Sequence, residues 1–352
     1  MLHSVLLLST IAAVAAEQCE GSSDTNELMQ HPNKHKKAHR PAHTFESGTQ
    51  ICFADLCVSP SDAPLFDWKT GWNSFLHSEG SEGRLGLDPL QGCCESCDAV
   101  ATCSNSEKEE HILVEHILPF MLPPAKEKPV FLELGGMDGW HETNTYFLEK
   151  CLGWKGMLIE ANPENFKNLH RNRPNALKIS SAICTNTSRV VFGSARAAGR
   201  ILNNHPRHLS EEDTLPCSPL QAFFDVLGVG QVTVFSLDVE GFEPWWGYQE
   251  LSVLESVNWH RVKVGALVVE ELQLDRDQQK NKDVRRLLKE TAKLEMLGVS
   301  CWKEVACDSY WINPLLFDHE AAKAYLRRHP FPSEKYRVKP ETACSKASKT
   351  VL

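Results

Sequence analysis

Three places in this chain concentrate side chains fit for chemistry. Asp238, Glu240 and Glu243 put three carboxylates within six residues, and His141 stands just past a glycine-rich turn, Gly135-Gly136-Met137-Asp138-Gly139. A carboxylate or an imidazole can take the proton of a hydroxyl as that hydroxyl becomes a nucleophile. The turn offers something different. Without a Cβ in the way, a ligand can approach its backbone N–H groups, and a helix starting beyond it favours polar or anionic groups. A further acid, Glu160, follows Gly139 by 21 residues and has the type and place to accept hydrogen bonds from both hydroxyls of a ribose. The combination describes a nucleotide-like ligand held beside a proton acceptor, with Asp238 and His141 as candidate bases. The competing readings are structural: Glu243 as a helix cap and His141 as a surface residue of the turn. The three acids match no specific metal-binding spacing, and no metal is expected.

These residues need a particular set of elements. Val130-Phe131-Leu132-Glu133-Leu134 is apolar except at Glu133 and reads as a strand running into the turn, and Phe147, Leu148, Cys151 and Leu152 repeat at helical spacing over 142–152. Met157-Leu158-Ile159 is a second strand ending on Glu160, after which Asn162 can cap a helix that has Pro163 at its first position. A third strand is expected over 176–184, and a long segment over 193–215 carries Arg196, Arg200, His205, Arg207 and His208. A helix over 219–227 then leads to a fourth strand, 231–238, which delivers Asp238 to the sheet's carboxyl edge, where ligands bind in open α/β folds. The fifth strand covers 264–270, and Val284, Leu287, Leu288 and Leu294 mark a helix that Gly298 ends. Two strands over 299–303 and 308–312 close the pattern, with Cys301 and Cys307 able to bridge across their connection if the register allows. Upstream, Ser106 and Glu109 form a capping-box pattern for a helix stopped by Pro119.

Met137 occupies the position where a dinucleotide fingerprint needs its second glycine. The spacing Glu133-x-Gly135-x-x-x-Gly139 instead resembles the first motif of Rossmann-like S-adenosylmethionine-dependent methyltransferases. Leu158-Ile159-Glu160-Ala161-Asn162-Pro163-Glu164-Asn165-Phe166, followed about seventy residues later by Phe235-Ser236-Leu237-Asp238-Val239-Glu240-Gly241-Phe242-Glu243, is similar to the FkbM-type methyltransferase family. The resemblance covers roughly 109–313. It implies a Rossmann-like α/β fold with a mostly parallel seven-stranded sheet and a terminal antiparallel pair. It also implies S-adenosyl-L-methionine as cofactor, held by Glu133, Gly135, Gly136, Gly139, Glu160 and Asn162. Ser236 departs from the family pattern, which usually has lysine there.

The formal charge of −9 argues against broad nucleic-acid binding. Val5 to Ala16 is a short apolar run before small residues, which reads as a signal peptide over 1–16, and nothing later is long and apolar enough to span a bilayer. All thirteen cysteines follow it, so most are expected in disulfides in the secretory pathway, and Asn186-Thr187-Ser188 is a glycosylation sequon. Residues 17–48 read as a polar linker despite the spacing of His31, His35, His39 and His43. Residues 49–104 read as a small cysteine-rich segment, structural or for protein recognition, packed against a catalytic domain over 105–330, and 331–352 as a peripheral tail. The function expected is methyl transfer to a glycan or a small hydroxylated metabolite. The rival is a catalytically inactive adaptor or trafficking protein with the same fold.

Overall fold

The computed structural model describes residues 45–53, 56–61, 66–77, 104–123, 128–193, 200–202, 214–239, 249–272, 278–302 and 306–332. The expected signal peptide, most of the linker, Cys93 to Cys103 and the segment from Glu240 to Trp246 lie outside them. The described strands are β1 (Gln50–Phe53), β2 (Leu56–Val58), β3 (Val130–Leu134), β4 (Lys155–Glu160), β5 (Leu177–Ser180), β6 (Ala182–Ile183), β7 (Ser188–Gly193), β8 (Arg200–Leu202), β9 (Thr214–Ser218), β10 (Gln231–Leu237), β11 (Lys263–Leu272), β12 (Glu295–Trp302) and β13 (Ala306–Ile312). The helices are α1 (Trp68–His77), α2 (Glu109–Ile112), α3 (Tyr146–Lys150), α4 (Pro163–Asn172), α5 (Leu220–Leu227), α6 (Gln249–Glu255), α7 (Gln278–Glu290) and α8 (His319–Leu326).

Nine strands form one mixed sheet in the order β12-β13-β11-β10-β3-β4-β5-β1-β2. Its middle, β11-β10-β3-β4-β5, is parallel, and β13 and β12 add the antiparallel pair on one side. The sheet is therefore larger than the expected seven strands. The addition comes from the cysteine-rich segment, whose β1–β2 hairpin lies in the sheet itself: β1 pairs antiparallel with β5, placing Ile51 opposite Ile179. That hairpin covers the N–H and C=O groups that β5 would otherwise present as an open edge. A second sheet of four strands, β6-β9-β7-β8, holds the described parts of the long 193–215 segment. The expected third strand is thus two, divided at Ser181 between the sheets.

Side chains alternate across each strand, and the two faces of the large sheet bury different sets. Leu132, Leu134, Phe235 and Leu237 pack with Trp68 and Trp72 of α1, Phe223 and Phe224 of α5, and Val284 and Leu288 of α7. Phe131, Leu158, Val234, Val268 and Tyr310 pack with Ile112 and Leu113, and with Phe166 and Leu169 of α4. Following the second face to the sheet's carboxyl end, the same alternation sets out Glu133, Glu160, Ser236, Asp238, Glu270 and Asp308. An apolar layer thereby ends in a polar one.

Other local differences have clear causes. Helix α3 begins only at Tyr146, because residues 143–145 bind Glu133. Gly298 lies inside β12 at an irregularity in its pairing rather than ending α7. Phe331, expected in a peripheral tail, packs its ring 4.8 Å from that of Tyr310. Bridges join Cys52 to Cys57, Cys184 to Cys217 and Cys301 to Cys307, and Cys151 is also disulfide-bonded. Among the described residues no helix is long and apolar enough to cross a membrane.

Candidate functional site

The turn after β3 is a packing device before it is anything else. Gly135 has φ +81°, and a Cβ there would stand 1.7 Å from the Asp238 carbonyl oxygen. At Gly139, with φ +75°, it would stand 2.6 Å from the Arg173 side chain and 2.7 Å from that of Leu169. The space these glycines leave is filled by the end of β10 and by α4. Gly135 N–H donates to Ile159 at 3.1 Å, and Asp238 N–H donates to Leu134 at 3.2 Å. Three strand ends are thus fastened together, which brings Gly135, Glu160 and Asp238 to one place. Gly136 sits at ordinary distance from Leu158 and Leu169.

Glu133, expected among the cofactor-binding residues, is engaged within the protein. Its carboxylate, 2% exposed, accepts from Thr143 Oγ1 at 2.8 Å, Asn144 N at 2.7 Å and Thr145 Oγ1 at 2.5 Å. Arg173 Nη1 lies 4.0 Å away, and Arg173 Nε donates to Glu149 at 2.6 Å. Glu133 holds the loop between the turn and α3 in place. Glu110 does the same for the start of α3, accepting from Phe147 N at 2.6 Å and Leu148 N at 3.3 Å. Burial pushes the Glu110 carboxyl up to about 8.

Glu160 ends β4 with Oε1 accepting from Asn162 N at 2.7 Å. Burial pushes its carboxyl up to about 7, opposed by the backbone amides of Asn162, Met137 and Ala161. The Asn162 side chain caps α4, its Oδ1 accepting from Glu164 N at 2.9 Å and Asn165 N at 3.5 Å. His141 is exposed, with Nδ1 2.6 Å from Asp138 Oδ2. Asp138 Oδ1 also accepts from Trp140 N at 2.9 Å and His141 N at 2.8 Å, which tightens the turn. Asp238 is half-buried at the end of β10, while Glu240 and Glu243 lie outside the described residues.

Beyond Asp238 the acids continue across the sheet. Leu237 pairs with Val269, so Asp238 stands beside Glu270, and Glu270 pairs with Asp308. Lys108 Nζ reaches this row from the segment before α2, 3.1 Å from Asp308 Oδ2 and 3.1 Å from the Ser300 carbonyl oxygen. Burial lifts the Asp308 carboxyl well above the usual range, with Glu109 adding to the rise and Lys108 opposing it.

Residues 133–294 match the family model of the methyltransferase FkbM domain. The match runs from Glu133 in β3 to Leu294, the residue before β12. No curated protein matches the chain. Among solved structures, a putative O-methyltransferase from Klebsiella pneumoniae is 12% identical with a TM-score of 0.34, covering 70% of this chain and 97% of that one. A TehB-like SAM-dependent methyltransferase from Corynebacterium glutamicum is 10% identical with a TM-score of 0.33, covering 61% and 92%. A SAM-dependent methyltransferase from Aquifex aeolicus is 14% identical with a TM-score of 0.29, covering 65% and 100%. At these scores the likenesses carry no argument about ligand or acceptor.

Within and around the matched segment, Arg173, Glu110 and Lys108 have structural or electrostatic roles that residue spacing does not reveal. A signal existed for the last two: Lys108-Glu109-Glu110-His111 precedes a dense apolar run, and all four are buried. In place of the absent lysine, Ser236 Oγ accepts from Asn144 Nδ2 at 3.0 Å. Among the described residues, the three-membered group with metal-ligand spacing is Cys52, Cys57 and His170, whose two sulfurs are bonded to each other.

Proposed function

We propose that the chain is an S-adenosyl-L-methionine-dependent methyltransferase of the secretory pathway that methylates a hydroxyl of a glycan or a small hydroxylated metabolite. One observation carries the reading: the turn at 135–139, the Glu160 carboxylate and Asp238 meet at the carboxyl ends of three adjacent parallel strands, β4, β3 and β10. The residues present fit the cofactor. Asn162 N–H takes one oxygen of Glu160, and the carboxylate's remaining acceptor capacity suits a ribose diol. Glu160 would hold the ribose, and the backbone of 135–139 would lie against the rest of the molecule. Bound there, the cofactor supplies a methyl group made electrophilic by its sulfonium.

Such a transfer asks the protein chiefly to position two reactants and exclude water. Asp238 is the group placed to take the acceptor's proton, because it ends β10 at that edge, whereas His141 turns to Asp138. Trp245 and Trp246 follow the acid segment and, from the sequence, offer aromatic faces to a sugar ring. The apolar run at 5–16 and the bridged cysteines support an oxidising compartment.

Calorimetric titration with S-adenosylmethionine and S-adenosylhomocysteine tests the core of this. Both should bind, and Asp238→Asn should leave cofactor binding intact while cutting methylation of a responsive hydroxylated saccharide about 100-fold or more. Absence of binding by either compound would favour the adaptor reading.

A further inference from the structure

The row of acids that ends in Asp238 holds more carboxylates than ordinary surroundings would keep charged. Asp238, Glu270 and Asp308 occupy neighbouring strands, and Glu109 lies close enough to push the Asp308 carboxyl up. Facing them are Lys108 from the same segment as Glu109 and the Tyr310 hydroxyl from β13, itself pushed up by burial and by Asp308. Lys108 is 3% exposed, and its ammonium is fixed by two contacts rather than one, the Asp308 carboxylate and the Ser300 carbonyl. A buried, doubly held cation at the end of an acid row has an electrostatic reach that a surface lysine lacks, because little water screens it.

We propose that Lys108 is a positioning residue of the transfer site, and that its ammonium, held against Asp308, keeps Asp238 charged and so able to take the acceptor's proton. This rests on the reading of Asp238 as the base. Asp308 is the complementary partner: burial and the nearby Glu109 favour its protonated form, which leaves the charge of the row to Asp238. Asp238 lies two strand spacings from Asp308, roughly 10 Å, a distance at which a buried charge still acts.

The ionisation of Asp238 can be followed without any acceptor, in the intact chain labelled with ¹³C at aspartate side-chain carboxyls, its resonance assigned by its loss in Asp238→Asn. Lys108→Met should raise the titration midpoint of Asp238 by about one pH unit, and Lys108→Arg should restore it. Asp308→Asn should leave that midpoint nearly in place, since the amide imitates a protonated acid. If Lys108→Met does not fold, the paired change Lys108→Met with Asp308→Asn removes cation and acid together and should show the same rise. An Asp238 midpoint unmoved by loss of Lys108 overturns the proposal. Failure of Asp238 as base shows up separately, as Asp238→Asn protein that methylates at the original rate.

Discussion

Two buried cations sit among acids on the same face of the sheet, and they are treated in opposite ways. Arg173 is completely enclosed and spends its guanidinium on Glu149, Thr143 Oγ1 and both oxygens of Thr145, with Glu133 at 4.0 Å. The neighbouring carboxylates hold it protonated against the cost of burial. Lys108 instead meets one acid and one carbonyl, and the acids near it outnumber it. The contrast separates frame from chemistry. A planar cation with five donors can satisfy a loop in every direction, while a point charge biases its neighbours without fixing them all. The loop at 143–145 is held by the first arrangement, and Asp238, as proposed, falls under the second.

The largest expected effect is at the frame. Arg173→Met should destabilise the protein by about 3–5 kcal/mol, because it leaves Glu133 and Glu149 buried without their counter-charge. Urea denaturation measures it, and a loss below about 1 kcal/mol would show that the network is not what holds the loop before α3.

The next effect depends on pH. The Glu110 carboxyl stands at about 8 in the folded chain against 4.5 for the free group. The folded state therefore holds more protons between those values, and this group's contribution to stability is greatest below 4.5 and declines as pH rises toward 8. Glu110→Gln keeps the acceptor for the Phe147 amide without the charge. Denaturation midpoints should show the variant gaining on the parent by about 2–4 kcal/mol between pH 5 and pH 9. A constant difference would mean that Glu110 is ionised throughout.

Glu160 sharpens the comparison at the ligand. Glu160→Gln should weaken S-adenosylhomocysteine binding about 10- to 100-fold, the worth of a charged hydrogen bond. Because burial lifts Glu160 to about 7, binding to the parent should itself weaken roughly tenfold from pH 8 to pH 6 as the carboxyl gains its proton. Isothermal titration at the two pH values distinguishes this from a general loss of fold, which would weaken the variant and flatten nothing.

What the sequence made legible follows the range of the interactions. The strand, turn and helix at 130–152 and the capped helix after Glu160 depend on neighbours within a few residues, and their types appear as expected. The antiparallel pair ending the sheet was also readable, down to the Cys301–Cys307 bridge. Pairing of β1 with β5 was not, because Ile51 and Ile179 are joined across more than a hundred residues and either strand reads the same without its partner. The site divides in the same manner. Glu160 and Asp238 announce themselves by standing at strand ends, whereas Arg173 and Lys108 look like solvated cations until the chain brings acids to them. Glu133 was legible as important but not in its task, since strand position says nothing of which hydroxyls will return to it.

The smallest expected effect is the most discriminating. Asp308 is an acid in contact with a lysine, and a simple ion pair so buried would lose several kcal/mol when one partner is neutralised. Its carboxyl, however, is lifted well above the usual range by burial and by Glu109 against the pull of Lys108, and this favours the protonated form. An asparagine reproduces that state: its oxygen accepts from Lys108 and its amide donates toward Glu109, in nearly the same volume. Asp308→Asn should therefore change stability by less than about 1 kcal/mol at pH 7, while Asp308→Ala, which leaves Lys108 unsatisfied, should cost about 1–3 kcal/mol. Parallel urea titrations of the two variants decide it. Equal, large losses would make Lys108 and Asp308 an ordinary buried ion pair, and the distinction from the Arg173 network would disappear.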